Sequence, residues 1–260
     1  MVSKKQSRAA QRRRNQEFQA RIDKKRARAQ VRNRVVSAVA IGSLVAGGGV
    51  FAAFSFGAGG SDPVVTQPAA TLVATATPAA GIDTGDVAPD PATAEAREWT
   101  ATVDTNLGPL TLALDGAAAP QAVASFVHLA DLGFFDGVQC HRLTTAGIYV
   151  LQCGDPTGSG SGGPDYRFGP IENAPADDVY PAGTVAMARV GNSAESMGSQ
   201  FFLVYADSMI PSDAAGGYTV FGTVADGLAI VEDVAAAGTT TGGTDGSPAQ
   251  TIVMNEVSVS

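Results

Sequence analysis

The chain has 260 residues, 45% of them hydrophobic, 16% charged and 7% aromatic, with a net charge of -8. That is material for one sizeable core and excludes a purely disordered acidic chain. The mean hides an asymmetry: residues 1–34 hold thirteen Lys or Arg against Glu17 and Asp23, whereas residues 35–260 hold four basic and twenty-three acidic residues.

The basic leader, with Arg12–Arg14 and Lys24–Arg28, reads as a charged, partly helical tail held against anionic lipid. Nucleic-acid binding is the weaker reading, because Phe18 is its only aromatic residue and bases need rings to stack on. Val35 to Phe56 follows, 22 residues without a charge. At about 1.5 Å per residue it is long enough to cross a hydrocarbon core of about 30 Å. A cleaved signal peptide and a buried core helix are the competing readings. Its length, the basic leader and the lack of a small-x-small site after a shorter apolar run favour one transmembrane helix serving as an anchor. The cation excess ahead of it predicts a cytoplasmic N-terminus and an extracytoplasmic acidic portion at the cell membrane. No cysteine lies near its end to carry a lipid.

Residues 57–97, with Pro63, Pro68, Pro78, Pro89 and Pro91 among Ala, Thr, Gly and Asp, read as an extended or flexible linker. From Trp99 the texture changes, which sets the domain at 98–260. Thr100–Thr105 and Gly108–Leu114 flank an Asn106/Gly108 turn and predict a hairpin. Pro120 suits the first turn of a helix in which Val123, Phe126, Val127 and Ala130 share a face. Apolar runs at 147–152, 184–188, 200–205 and 219–224 predict strands, 228–236 a second helix and 251–259 a closing strand. Many strands and two helices predict a mainly β domain, a closed antiparallel sheet or barrel with helices over its ends.

Cys140, Cys153, His128 and His141 exclude a disulfide-dense scaffold and leave few ligands for a metal centre. No G-x-S-x-G nucleophile elbow accompanies the histidines, so His128 reads as a packed or surface helix residue and His141 as a strand residue supporting the fold. The glycine tract Gly154–Gly163 has no lysine and no G-K-[ST] ending, which argues against a phosphate loop and for an irregular loop shaping a cleft. Beyond residue 97 there are three arginines, Arg142, Arg167 and Arg189, and no lysine. Arg142, with Gln152, Gln200 and Phe202, punctuates apolar runs. Half-buried polar side chains of this kind need partners, and their convergence would make a polar rim beside an apolar pocket.

The segments FFDGVQCHR (134–142), VLQCGDPTGSGSGGPDY (150–166) and GSQFFL (198–203) closely resemble, in order and spacing, the signature segments of cyclophilin-type peptidyl-prolyl cis-trans isomerases. With the tail and the apolar span, the whole arrangement resembles membrane-anchored actinobacterial forms. The resemblance implies an eight-stranded antiparallel closed barrel capped by two helices. It also implies isomerisation of X-Pro bonds, proline-containing polypeptides as partners, no cofactor or metal, no nucleic acid, and a monomer. Carried over by motif, Arg142 is the catalytic arginine, assisted by Gln200. Tyr149, Val150, Gln152, Ala188, Phe202 and Tyr218 line the substrate pocket, with Ile210 as a looser match. Tyr218 stands where the family often has histidine, Arg189 where asparagine is common, and a tryptophan often found near Ile210 is missing. The reach from Arg142 to Gln152 is two residues longer than usual. Without the resemblance, Phe202 also reads as a core aromatic, Gln200 as a loop-capping amide and Arg142 as a salt bridge at the end of the barrel. A proline-recognition or chaperone module with little turnover is the alternative function, and a structural envelope protein a third.

Cys140 and Cys153 stand thirteen residues apart on runs that a Thr/Gly-rich return would place on neighbouring strands. Outside the cytoplasm they would be free to form a disulfide. Two small buried thiols are an equal reading.

Overall fold

The computed structural model describes residues 82–260. The basic tail, the apolar span 35–56 and the linker up to residue 81 lie outside the described residues. Among those described, no helix is long and apolar enough to cross a membrane.

The last part of the expected linker is not a spacer. Residues 82–97 pack against the domain: Thr84 and Ala94 are buried, a short turn of helix runs over Pro91–Ala94, and the Trp99 indole N–H donates to the Ala94 carbonyl at 2.9 Å. Sequence texture misses this because docking here rests on backbone carbonyls and small residues. Gln121 Nε2, for instance, donates to the Pro89 carbonyl.

Strands β1 (Glu98–Thr105) and β2 (Leu110–Asp115) form the expected hairpin. Ala101, Val103, Leu110, Leu112 and Leu114 alternate inward as a pleated strand with one covered face requires. Helix α1 (Pro120–Asp131) lies against the sheet. Its N-cap, Ala119, offers no side-chain bond, and Glu172 supplies one from 50 residues away, accepting the Gln121 and Ala122 N–H groups at 3.0 Å each. Phe126 from this helix meets Phe135, Phe201 and Phe221 at ring separations of 5.0, 5.6 and 5.7 Å, the centre of the core.

The chain continues through β3 (Val138–Gln139), β4 (Arg142–Ala146), β5 (Ile148–Cys153), β6 (Val179–Tyr180), β7 (Thr184–Met187), β8 (Phe201–Val204), β9 (Ser208–Met209), β10 (Val220–Asp226), helix α2 (Leu228–Ala237), β11 (Asp245–Gly246) and β12 (Val253–Val259). One antiparallel sheet runs β11-β4-β5-β8-β7-β10-β2-β1-β12-β3, and β6 pairs with β9 apart from it. The architecture is a mainly β half-barrel with two helices. The ladder has ten strands, and its end strands, β11 and β3, do not pair with each other. The pairing partner changes at residues 139–142. Cys140 N–H donates to the Ile252 carbonyl beside β12, whereas His141 N–H donates to the Gln152 carbonyl on β5, so the strand path breaks there and changes partner.

Candidate active site

Register, more than sequence proximity, assembles the site. Arg142 on β4 pairs with Gln152 on β5, Gln152 with Phe202 on β8, and Phe202 with Ala186 on β7. Directly opposed residues share a face, so these four side chains form one row across the sheet. The neighbouring row runs Thr144, Val150, Val204. Leu151, Phe201 and Leu203, one residue out of step, face the core.

The polar end of the row is a chain of hydrogen bonds. Asp245 grips the Arg142 guanidinium with both oxygens, Nε donating to Oδ1 at 2.8 Å and Nη2 to Oδ2 at 2.7 Å. Arg142 Nη1 donates to Gln152 Oε1 at 3.3 Å, Gln152 Nε2 to Gln200 Oε1 at 2.8 Å, and Gln200 Nε2 to the Gly162 carbonyl at 2.8 Å. The ordering fixes both amide orientations, since each Gln accepts on one side and donates on the other. The side chains of Arg142 and Asp245 remain 43% and 53% exposed, so the guanidinium is held yet open to a ligand. The ion pair raises the Arg142 pKa and holds the Asp245 carboxyl below its ordinary value, the hydrogen bonds between them being the largest cause for each.

The apolar end is a cluster of Val150, Tyr180, Ala186, Phe202, Val204 and Ile210, with Ile148, Ala188, Tyr218 and Val220 packed against it. Tyr218 sets its ring edge-on to Phe202 at 5.6 Å, and its N–H donates to the Tyr180 hydroxyl at 2.8 Å. Arg189 stacks 4.7 Å above the Tyr218 ring and makes a bidentate pair with Asp213, 2.9 Å on each side. Its side chain is fully buried, and the pair pulls the Asp213 carboxyl far below the carboxylate range. Arg189 Nε also donates to the Gly217 carbonyl at 2.9 Å, so this arginine ties the segment carrying Asp213 and Tyr218 to the end of β7.

Of the residues expected at the site, Arg142, Val150, Gln152, Ala188, Gln200, Phe202, Ile210 and Tyr218 are brought together along this face. Tyr149 is not. It stays outside the cluster, its ring edge against Tyr205 at 5.9 Å, because alternation on β5 turns it away from Val150 and Gln152. Burial, the largest cause, pushes the Tyr205 hydroxyl up to about 12. The salt-bridge and core readings also describe real contacts: Arg142 is ion-paired and Phe202 is buried. Sequence reading misses Asp245, which stands in a Thr/Gly-rich stretch 103 residues from Arg142 with nothing local to mark it. It also misses Ile148 and Val204, which the register brings in, and Tyr180, which packs in from β6.

Beside the row, behind Gln152 and Gln200, the glycine tract borders a cavity of about 280 Å³, which Arg167, Ala188 and Val190 also line. Asp155 shapes its wall, accepting N–H groups of Thr157, Gly160 and Gly162. At Gly154 (φ +87) a Cβ would collide with the Ser199 carbonyl, so only glycine passes there. Cys140 and Cys153 lie with Cα atoms 4.0 Å apart and their sulfurs bonded, tying the residues just before Arg142 to the end of β5. His141 is buried, with neither ring nitrogen partnered among the described residues. Burial, the dominant cause, lowers its pKa despite the opposing pull of Asp155. Among the described residues no group of three His, Cys, Asp or Glu side chains gathers as metal ligands do.

Residues 100–259 match the family model described as cyclophilin type peptidyl-prolyl cis-trans isomerase/CLD. The chain is 45% identical over 186 residues to the probable peptidyl-prolyl cis-trans isomerase B of Mycobacterium tuberculosis (strain ATCC 25618 / H37Rv), an alignment covering 67% of this chain and 57% of that protein. It is 44% identical over 185 residues to the protein of the same name from Mycobacterium leprae (strain TN), covering 66% and 59%. The alignments thus span less than two thirds of these relatives' length. Among solved structures, a Cryptosporidium parvum cyclophilin type peptidyl-prolyl cis-trans isomerase superposes with a TM-score of 0.52 at 25% identity, covering 63% of this chain and 98% of that one.

Proposed function

The chain belongs to the cyclophilin-type peptidyl-prolyl cis-trans isomerases, and from that premise we propose that its domain catalyses rotation about X-Pro bonds with Arg142 as the catalytic residue. The observation that carries the reading is the cross-strand row that sets Arg142 and Gln152 beside Phe202 on one face.

The chemistry asks for little more. Amide resonance makes the C–N bond partly double, and uncatalysed X-Pro exchange takes on the order of 10–100 s at 25 °C. Twisting the bond localises a lone pair on the prolyl nitrogen. A guanidinium N–H aimed at that nitrogen, or at the neighbouring carbonyl, binds the twisted amide more strongly than the planar one, and only such differential binding accelerates the step. In this reading the proline ring rests on the Phe202, Val150 and Ile210 side of the cluster, and Arg142 points its free hydrogen-bonding capacity at the amide. Gln152 and Gln200 orient the peptide backbone. Asp245 on one edge of the fork and Gln152 on the other restrict the guanidinium before substrate arrives, so less freedom is lost on binding.

The test is NMR exchange spectroscopy on a short X-Pro peptide with catalytic amounts of the full chain. Accelerated cis/trans exchange supports the enzyme. Peptide binding, seen as chemical-shift changes, without acceleration would replace it by a proline-recognition module.

The substrates in this reading are extracytoplasmic polypeptides, the chain being anchored through residues 35–56 with its N-terminus inside. The support is the cation excess ahead of that span. Protease added to intact cells should release the domain and spare residues 1–34. A soluble mature protein beginning after residue 56 would contradict the anchor.

A further inference from the structure

Residues 82–260 contain four arginines and no lysine. Three are paired: Arg97 with Glu95, Arg142 with Asp245 and Arg189 with Asp213. The fourth, Arg167, has no acidic partner among the described residues, and it lines the cavity of about 280 Å³ behind Gln152 and Gln200.

Its placement is built. Nη1 donates to the Pro164 and Tyr166 carbonyls at 2.5 and 2.7 Å, which anchors one nitrogen, while Nε and Nη2 make no hydrogen bond among the described residues. Gly163 and Gly198 lie beside the guanidinium, where a Cβ on either would stand 3.5 Å from Nη1, in ordinary contact. Three other polar side chains around the cavity are already engaged. Gln200 Nε2 is on the Gly162 carbonyl, Ser199 Oγ on the Gly154 carbonyl and Ser196 Oγ on the Ser193 carbonyl. Arg189, which also borders the cavity, is neutralised by Asp213, and the Asp155 carboxylate is held by its own loop.

From these observations we infer that Arg167 is a specificity-determining residue: the cavity receives a substrate side chain near the proline and favours a carboxylate, Glu or Asp. The inference rests on the isomerase reading for what occupies the row. Gln152, Gln200 and Ala188 belong to both the row's face and the cavity wall, so a peptide with proline over Phe202 has neighbouring side chains within reach, at about 3.5 Å of chain per residue. The acidic surface of the domain opposes this preference at long range, but salt screens that field beyond about 8 Å at 0.15 M while a contact pair persists.

The experiment compares kcat/KM for X-Pro peptides carrying Glu, Gln or Lys at each of the three positions on either side of proline, at 0.15 M salt. At one position the full chain should turn over the Glu peptide about two- to fivefold better than the Gln peptide, the range of a partly exposed ion pair. The Lys peptide should be the poorest there. R167Q should level Glu and Gln, R167K should keep the preference and R167E should invert it, each read as the Glu-to-Gln ratio of kcat/KM within one variant. Equal rates for Glu and Gln at every position, or a preference that survives in R167Q, would overturn the inference. Failure of the isomerase reading looks different, since no peptide would then be turned over. Peptide affinities from chemical-shift titration would in that case give the same Glu-to-Gln ratio and decide the role of Arg167 in the same way.

Discussion

In the proposed mechanism Arg142 does two jobs that pull in different directions. Its bond to Asp245 makes it a rigid fork, and that same carboxylate draws off part of the positive potential a twisting amide would feel. Rigidity should win, because the pair is solvent-exposed on both sides and its electrostatic cost is screened, whereas a loose arginine must be ordered at every turnover. D245N is therefore expected to lower kcat/KM about three- to tenfold, with stability changed by less than about 1 kcal/mol. D245E should restore part of the rate. A D245N enzyme faster than wild type would mean that Asp245 competes with substrate for the guanidinium. The pair also has a pH signature. Arg142 depresses the Asp245 pKa, so the pair is intact above the ordinary carboxylate value of about 3.9 and is lost only as pH falls through the lower folded value. No decline in rate between pH 8 and 5 should trace to it. Residue chemistry of this kind is half visible in the sequence. Arginines are scarce enough after residue 97 that Arg142 stands out, but its partner cannot be found without the fold.

At the scale of elements, the site depends on pairing register. A one-residue slip of β8 against β5 would turn Phe202 into the core and Phe201 out onto the row. The core prevents the slip: Phe201 meets Phe126, Phe135 and Phe221, and burying such a ring is worth about 1.5–3 kcal/mol. Hydrophobic runs announce β5, β7, β8, β10 and β12 to within about two residues, because each is at least four residues long and rich in apolar side chains. The two-residue strands β3, β6, β9 and β11 carry no such pattern, and β11 is the one that delivers Asp245. Tyr149 shows the complementary limit. A motif names neighbours along the chain, while strand alternation sends adjacent residues to opposite faces.

At the scale of the molecule, charge is unevenly distributed. The domain is strongly acidic, and each of its few cations is fixed in place, with Arg97 over Trp99 at 3.5 Å, Arg189 over Tyr218, Arg142 at the row and Arg167 at the cavity. A mainly β domain with two helices is readable from strand spacing and turn residues. The domain's start is not, because residues 82–97 dock through backbone groups that composition does not reveal. A closed sheet is expected from the strand count as well as from the resemblance, and the ladder runs from β11 to β3.

The central claim is that Arg142 supplies the differential stabilisation of the twisted amide. Exchange spectroscopy on one X-Pro peptide, with wild type and R142A at equal concentration and both shown folded by amide spectra, tests it most directly. Losing a charged hydrogen bond worth about 1.5–3 kcal/mol in the transition state predicts a fall in kcat/KM of roughly ten- to a hundredfold. Equal exchange rates from folded wild type and folded R142A would contradict it.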